Sequence, residues 1–167
     1  QQNQPEVTDS NVKLSAAQSP KVSKYSLSQI QIVKKLNDSR YPVTLVCVPE
    51  TFSYYALKFF SYKDDKINPA YLNEARFQSL SHPNIISIVS TIDKHQCVLF
   101  GNAITASCVL MEYALYGDFY DILNQHPHIY QEETLVRTFF HHLIEGLEHL
   151  HSHGYAHLDL KLENLLL

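Results

Sequence analysis

The sequence has no tryptophan, one methionine (Met111), four glycines and three cysteines in 167 residues. The cysteines, Cys47, Cys97 and Cys108, are odd in number and form no C-x-x-C pair. Such sparse usage suits a reducing compartment and sets the expectation of a cytoplasmic, intracellular protein. No apolar run approaches the ~20 residues that span a bilayer, and no signal-peptide h-region opens the chain, so a membrane is not an expected partner. Positive charge is short as well: 13 Lys and Arg stand against 17 Asp and Glu, a formal net charge of −4. That balance lacks the basic footprint that neutralises phosphate backbones, and nucleic acid is not an expected partner either.

What is present is a hydrophobic content of 45%, ordinary for a globular chain of a length that can bury a sizeable core. Residues 1–24, QQNQPEVTDSNVKLSAAQSPKVSK, are polar and free of aromatics, and are expected to form a flexible tail. With no initiator methionine at Gln1, the chain is expected to be processed or excised from something longer. VTLVCV (43–48) and YYALKFF (54–60), joined by PETFS, predict two strands of a hairpin. A helix is predicted over 69–80, with Leu72, Phe77 and Leu80 near one face and a stop at His82-Pro83-Asn84. IISIVSTI (85–92) and ASCVLMEY (106–113) are strand-like. The 93–105 stretch between them is long for a hairpin loop and predicts extra local structure or a flexible insertion. A short helix is expected over 118–123. A long one is expected over 132–152, where Leu135, Phe139, Leu143 and Leu147 form one ridge, flanked by Val136, Phe140, Ile144 and Leu150. Gly154 is placed to end it. The pattern is α+β, with a change of character near residue 114.

Chemistry concentrates at 153–167, HGYAHLDLKLENLLL. A loop aspartate, Asp159, can accept a hydroxyl proton and orient the oxygen. Lys161 can neutralise charge on a transferring phosphoryl group, and the amide oxygen of Asn164 is a hard ligand suited to Mg²⁺. Phosphoryl transfer needs positioning and charge stabilisation above all, so these residue types belong together on one loop. On the three residues alone, a solvated polar turn stands equally open.

The surrounding segments resemble the eukaryotic protein kinases. HLDLKLEN resembles the catalytic loop H-R-D-L-K-x-x-N, YALK (55–58) the strand carrying a nucleotide-binding lysine, HPNI (82–85) the segment after the regulatory helix, and VLMEY (109–113) the strand entering the hinge. The resemblance spans 25–167. It implies an N-lobe of antiparallel sheet plus one helix (25–114) and the start of a helical C-lobe (115–167). It further implies an ATP-dependent serine/threonine kinase using ATP and Mg²⁺, since Lys161 belongs to the Ser/Thr form of the loop. The implied roles are Asp159 as base, Lys161 at the γ-phosphate and Asn164 as the Mg²⁺ ligand. Lys58 would meet the nucleotide. Val43, Ala56 and Leu166 would sandwich adenine against the gatekeeper Met111 and the hinge Glu112, Tyr113 and Ala114. Asp118 would meet the ribose or a basic substrate residue.

Departures from the family pattern set a second expectation, a kinase-like scaffold with weak or no catalysis. The phosphate-covering loop should read G-x-G-x-x-G. Here KLNDSRYPVTLV (35–46) contains no glycine, Pro42 has no N–H to offer, and Asp38 brings negative charge. The carboxylate partner of Lys58 has two possible registers: Glu74, sixteen residues on, or Asn73 if no residue is deleted before Pro83. Leu158 stands where most members carry Arg, and Leu162 replaces a common Pro. D-F-G and the activation segment are not among the 167 residues, so the chain alone is not expected to catalyse transfer. The rest of a kinase domain, or a partner, is expected to cover the helical part.

Overall fold

The computed structural model describes Tyr25, residues 27–37 and residues 39–167. The expected tail (1–24) and Asp38 lie outside these residues. Five strands, β1 (Gln31–Lys35), β2 (Val43–Val48), β3 (Ser53–Ser61), β4 (Ile88–Leu99) and β5 (Asn102–Glu112), form one sheet in the order β1-β2-β3-β5-β4. Every pairing is antiparallel. Helix α1 (Pro69–Ala75) follows β3, and α2 (Phe119–Gln125) and α3 (Glu133–Ser152) follow the sheet.

Alternation along β3 builds two cores. Leu57 and Phe59 point to one face, where Val46, Leu99, Ala106, Cys108 and Leu110 complete a buried cluster. Ala56, Lys58 and Phe60 point to the other, where Phe60, Tyr71 and Val109 are buried with Tyr41, Ile88 and Met111 against them. Burying a side chain such as Leu57 or Phe60 contributes about 1.5–3 kcal/mol. β1 was not legible as a strand: its five residues are all exposed, so no buried face imposes a period.

One expectation needs correction and another is decided. The helix expected over 69–80 stops at Ala75 and continues as a 3₁₀ turn, Arg76–Ser79. Asn68 caps its start, accepting the Ala70 N–H at 3.0 Å, with Pro69 at the first position. Leu72 is 52% exposed, and the residue facing the sheet is Tyr71 at 3%. The Tyr71 hydroxyl donates to Asp93 Oδ1 at 2.6 Å. Burial first, then this carboxylate, push the phenol above its ordinary range. Of the two expectations for 93–105, extra local structure is the one observed: the stretch is the distal half of the β4–β5 hairpin, closed at Phe100-Gly101. Both of those residues have positive φ (50° and 83°), as a two-residue type I′ turn requires. The extension delivers Leu99, Cys97 and Ile104 to the first core.

Helix α3 ends in a Schellman arrangement. The Tyr155 N–H reaches Leu150 O at 3.0 Å and the Gly154 N–H reaches His151 O at 2.9 Å, with Gly154 at φ +77°. The helix docks on the turn before β4 through Asn84 Nδ2 to Glu145 Oε2 (2.9 Å) and stacked His82 and His149 rings, while Phe119 of α2 meets Phe139 edge-on. One ridge of α3 (Phe139, Leu143, Leu147, Leu150) is partly buried, and Leu135, Val136, Phe140 and Ile144 are exposed.

Gly146 lets α3 approach that closely, because a Cβ there would lie 2.9 Å from the Asn84 carbonyl oxygen. Alanine in place of a mid-helix glycine ordinarily stabilises by about 1 kcal/mol. For Gly146→Ala the overpacking should win, with a net loss of about 1–2 kcal/mol in denaturant unfolding. A stabilised variant would show that the junction yields freely.

Candidate active site

Strand β3 positions the first half of the site. Cross-strand pairing sets Val43 opposite Lys58, and Ala56 opposite both Leu45 and Met111, so Val43, Ala56, Lys58 and Met111 share one sheet face. Lys58 Nζ lies 2.6 Å from Glu74 Oε2, each side chain 26% exposed, while Asn73 faces solvent. Glu74, and not Asn73, is therefore the residue presented to the lysine. The ammonium also stands over the Phe60 ring, 5.4 Å from its centroid.

At the end of β5, Glu112 turns its side chain toward Ser87. Its Oε2 accepts the Ser87 N–H at 3.3 Å, and its own N–H donates to Ser87 O at 2.9 Å. Tyr113 and Ala114 follow it, partly buried. Asp118 caps α2, its Oδ1 accepting the Asp121 N–H at 2.9 Å, and its backbone bridges to Leu166. Neighbouring bonds, Phe119 N–H to Leu165 O (2.8 Å) and Tyr116 N–H to Leu167 O (2.8 Å), zip 165–167 onto the segment after the hinge. Leu166 itself stays 46% exposed.

The second half of the site is the loop after α3. Asn164 Nδ2 donates to Asp159 O (2.7 Å) and to Asp159 Oδ2 (2.9 Å), and Lys161 Nζ lies 3.3 Å from the same Oδ2. Asp159 Oδ1 has no hydrogen-bond partner among the described residues and is the oxygen open to an incoming hydroxyl. The Asn164 amide hydrogens being engaged, its Oδ1 is the atom left to serve a cation. Leu158, 94% exposed, sits at φ +60°. That left-handed conformation costs a branched residue about 1–2 kcal/mol and marks a backbone bent to aim its neighbours. Arg76 stacks on both Phe77 (4.9 Å) and Tyr155 (5.5 Å), tying the end of the α1 segment to the approach of this loop. Among the described residues no hydrogen bond or ion pair joins Lys58 and Glu74 to Asp159, Lys161 and Asn164.

Sequence reading missed the element that closes the β1–β2 connection. Asn37 Oδ1 accepts the Val43 N–H at 3.0 Å, and the Ser39 hydroxyl donates to Tyr41 O at 2.7 Å with Asn37 Oδ1 also near it at 3.2 Å. The Asn-x-Ser spacing, typical of side-chain-closed turns, was the available signal.

The Asn164 amide and then the Lys161 ammonium hold the Asp159 carboxyl below its ordinary value of 3.8. Because the folded-state value is depressed, the associated stabilisation is present above the unfolded value and disappears as pH falls through the folded one. Asn164→Ala and Lys161→Ala should each raise the Asp159 midpoint toward the ordinary value in a carboxyl-carbon NMR titration. A midpoint unmoved by Asn164→Ala would show that the amide does not hold the carboxylate.

The family profile described as "Protein kinase domain" matches residues 27–167. NUAK family SNF1-like kinase 2 of Rattus norvegicus is 35% identical over 89 residues, 53% of this chain and 12% of that protein. Serine/threonine-protein kinase PKH2 of Saccharomyces cerevisiae is 25% identical over 169 residues, covering 92% of this chain and 15% of the relative. Serine/threonine-protein kinase ksp1 of Schizosaccharomyces pombe is 41% identical over 61 residues, 35% of this chain and 13% of that protein. The chain thus spans about an eighth of the length of these relatives. With the sheet, the α1 carboxylate facing Lys58 and the loop of Asp159 all inside the matched span, the chain belongs to the eukaryotic protein kinase superfamily.

Proposed function

We propose that this chain is part of the catalytic domain of an ATP-dependent serine/threonine protein kinase of the cell interior. The observation that carries this reading is the Asp159 carboxylate, with Oδ2 fixed by Asn164 and Lys161 and Oδ1 left open. Its depressed pKa makes it a weak base but a permanent hydrogen-bond acceptor, which suits a reaction that demands orientation of the hydroxyl more than early proton removal. Asp159 would hold the Ser or Thr hydroxyl of a protein substrate, and Lys161 would face the transferring phosphoryl group. Lys58, braced by Glu74, would meet the nucleotide phosphates. Val43, Ala56, Met111 and Leu166 would enclose adenine, with the backbone of Glu112, Tyr113 and Ala114 along its edge. Asp118 has its second carboxylate oxygen for a ribose or a basic substrate side chain.

Asn164 Oδ1 is chemically suited to Mg²⁺, a hard cation that takes oxygen donors. When bound, Mg²⁺ with ATP supplies the phosphoryl group and compensates its charge. The loop residues fit this pair; the β1–β2 turn does not. That turn favours the second reading, a kinase-like scaffold with little turnover. In either case the exposed Leu135, Val136, Phe140 and Ile144 call for cover by further kinase-domain chain or by a partner.

In the longest native polypeptide carrying this chain, Asp159→Asn should reduce phosphoryl transfer to a Ser/Thr peptide by about 10²–10⁴-fold. Glu74→Gln should reduce it by about 10–100-fold, the worth of a charged hydrogen bond, and Asn73→Ala should leave it nearly unchanged. Transfer that survives Asp159→Asn would reject the catalytic reading, and no transfer from the native protein would establish the scaffold.

A further inference from the structure

The seat of α3 on the sheet lobe is built around histidine rings. His82, in the turn before β4, stacks on His149 with ring centroids 4.8 Å apart, and His149 stacks in turn on His153 at 4.4 Å. His82 and His149 are half-buried, and His153 is exposed. One helical turn away, Asn84 Nδ2 donates to Glu145 Oε2 and Gly146 packs against Asn84 O. The groove beside the rings, lined by Glu145, Glu148 and Ser152, gives solvent protons a way in.

The contacts fit neutral rings at His82 and His149. His82 Nδ1 accepts the Asn84 N–H at 3.2 Å, which leaves the proton of the ring on Nε2. Imidazolium has no acceptor, so protonating His82 would set donor against donor at the residue whose side chain holds Glu145. His149 lies between two other imidazoles, and a proton on it meets a like charge at ring-contact distance once either neighbour is charged. His153 differs, because its Nδ1 donates to His149 O at 2.8 Å and imidazolium keeps that bond. Partial burial first, then His153 and His82, hold His149 below the ordinary imidazole value of 6.5. Glu145 and Glu148 are the facing anions. Glu145 is already engaged through both oxygens, Oε2 by Asn84 and Oε1 by His141 at 3.2 Å, and Glu148 is exposed.

We propose that the His82–His149 stack is a pH-sensitive latch, closed when both rings are neutral and releasing α3 from the turn before β4 in mildly acidic solution. With the folded-state value of His149 depressed, the released state takes up more protons. The stabilisation is therefore present above the ordinary value of 6.5 and lost as pH falls through the folded one. Together with the packing of Arg76 and Phe77 on Tyr155, this seat holds the loop of Asp159 against the lobe that carries Lys58 and Glu74. Release would act on a kinase and on a scaffold alike.

Hydrogen exchange on the longest native polypeptide carrying this chain tests the latch, read on peptides covering 82–88 and 143–153 and corrected for the intrinsic pH dependence of exchange. Protection of both segments should fall about three- to tenfold between pH 7.5 and 5.5, since one linked proton gives at most about tenfold per pH unit. His149→Phe keeps a ring for the stack but takes up no proton, and its protection should stay within about twofold over the same range. His82→Asn keeps an acceptor for the Asn84 N–H and removes the other titrating ring, so it should flatten the dependence as well. It decides the matter if His149→Phe is already unprotected at pH 7.5. Native protein whose two segments keep their protection at pH 5.5 would overturn the proposal. Equal losses in the native protein and the folded variant would overturn it too, by placing the sensitivity on another group such as His157, whose Nδ1 faces the Asp159 N–H at 3.3 Å.

Discussion

Strand β3 pairs with β2 on one side and β5 on the other, and its strict two-residue alternation holds the whole lobe in register. Leu57 and Phe59 must face one core while Ala56, Lys58 and Phe60 face the other. A slip of a single residue would drive the Lys58 ammonium into the cluster around Leu110 and turn Phe59 toward the cleft. Burying an unpaired charge costs several kcal/mol, so the hydrophobic pattern that folds the sheet also fixes where the lysine emerges. Site and core are one constraint.

Positioning and stability are assigned to different groups on α1. The Lys58–Glu74 pair is partly exposed, and a pair of that kind contributes little to folding, about 0–1 kcal/mol. The helix is anchored by buried Tyr71, whose hydroxyl donates to Asp93, and by the Asn68 cap. Glu74 can therefore be tuned or lost without unfolding the lobe. Helix α3 repeats the division: its contacts with Asn84 and His82 seat the helix, and the loop beyond Gly154 carries Asp159, Lys161 and Asn164.

The strongly patterned parts of the fold were legible in the sequence. VTLVCV, YYALKFF and the α3 ridge carry alternation or 3.6-residue periodicity over whole elements, and tertiary packing agrees with both. Leu72 misled because hydrophobicity alone ranks it with Phe77 and Leu80, whereas the phenol of buried Tyr71 gains a carboxylate partner, Asp93, that sequence spacing does not reveal. The strand character of 93–105 was hidden because Asp93, Lys94 and His95 interrupt the alternation at a bulge, after which the ladder resumes. In the site, Glu74 and Asn73 could not be separated without the helix's rotation about its axis, and Asn37 was invisible to a reading that looked for glycines and found none.

The long β4–β5 hairpin has one more effect, on association between chains. Its tip brings Phe100 beneath the Lys35 ammonium of β1, 5.3 Å from the ring, so the two edges of the sheet curl toward each other at that end. One edge is a five-residue strand ending in two lysines, and the other is a twelve-residue strand broken by bulges and a charged Asp93-Lys94 step. Short, bulged and charged edges resist pairing with strands of another molecule. The sheet can therefore be presented to a crowded solution without recruiting neighbours into it.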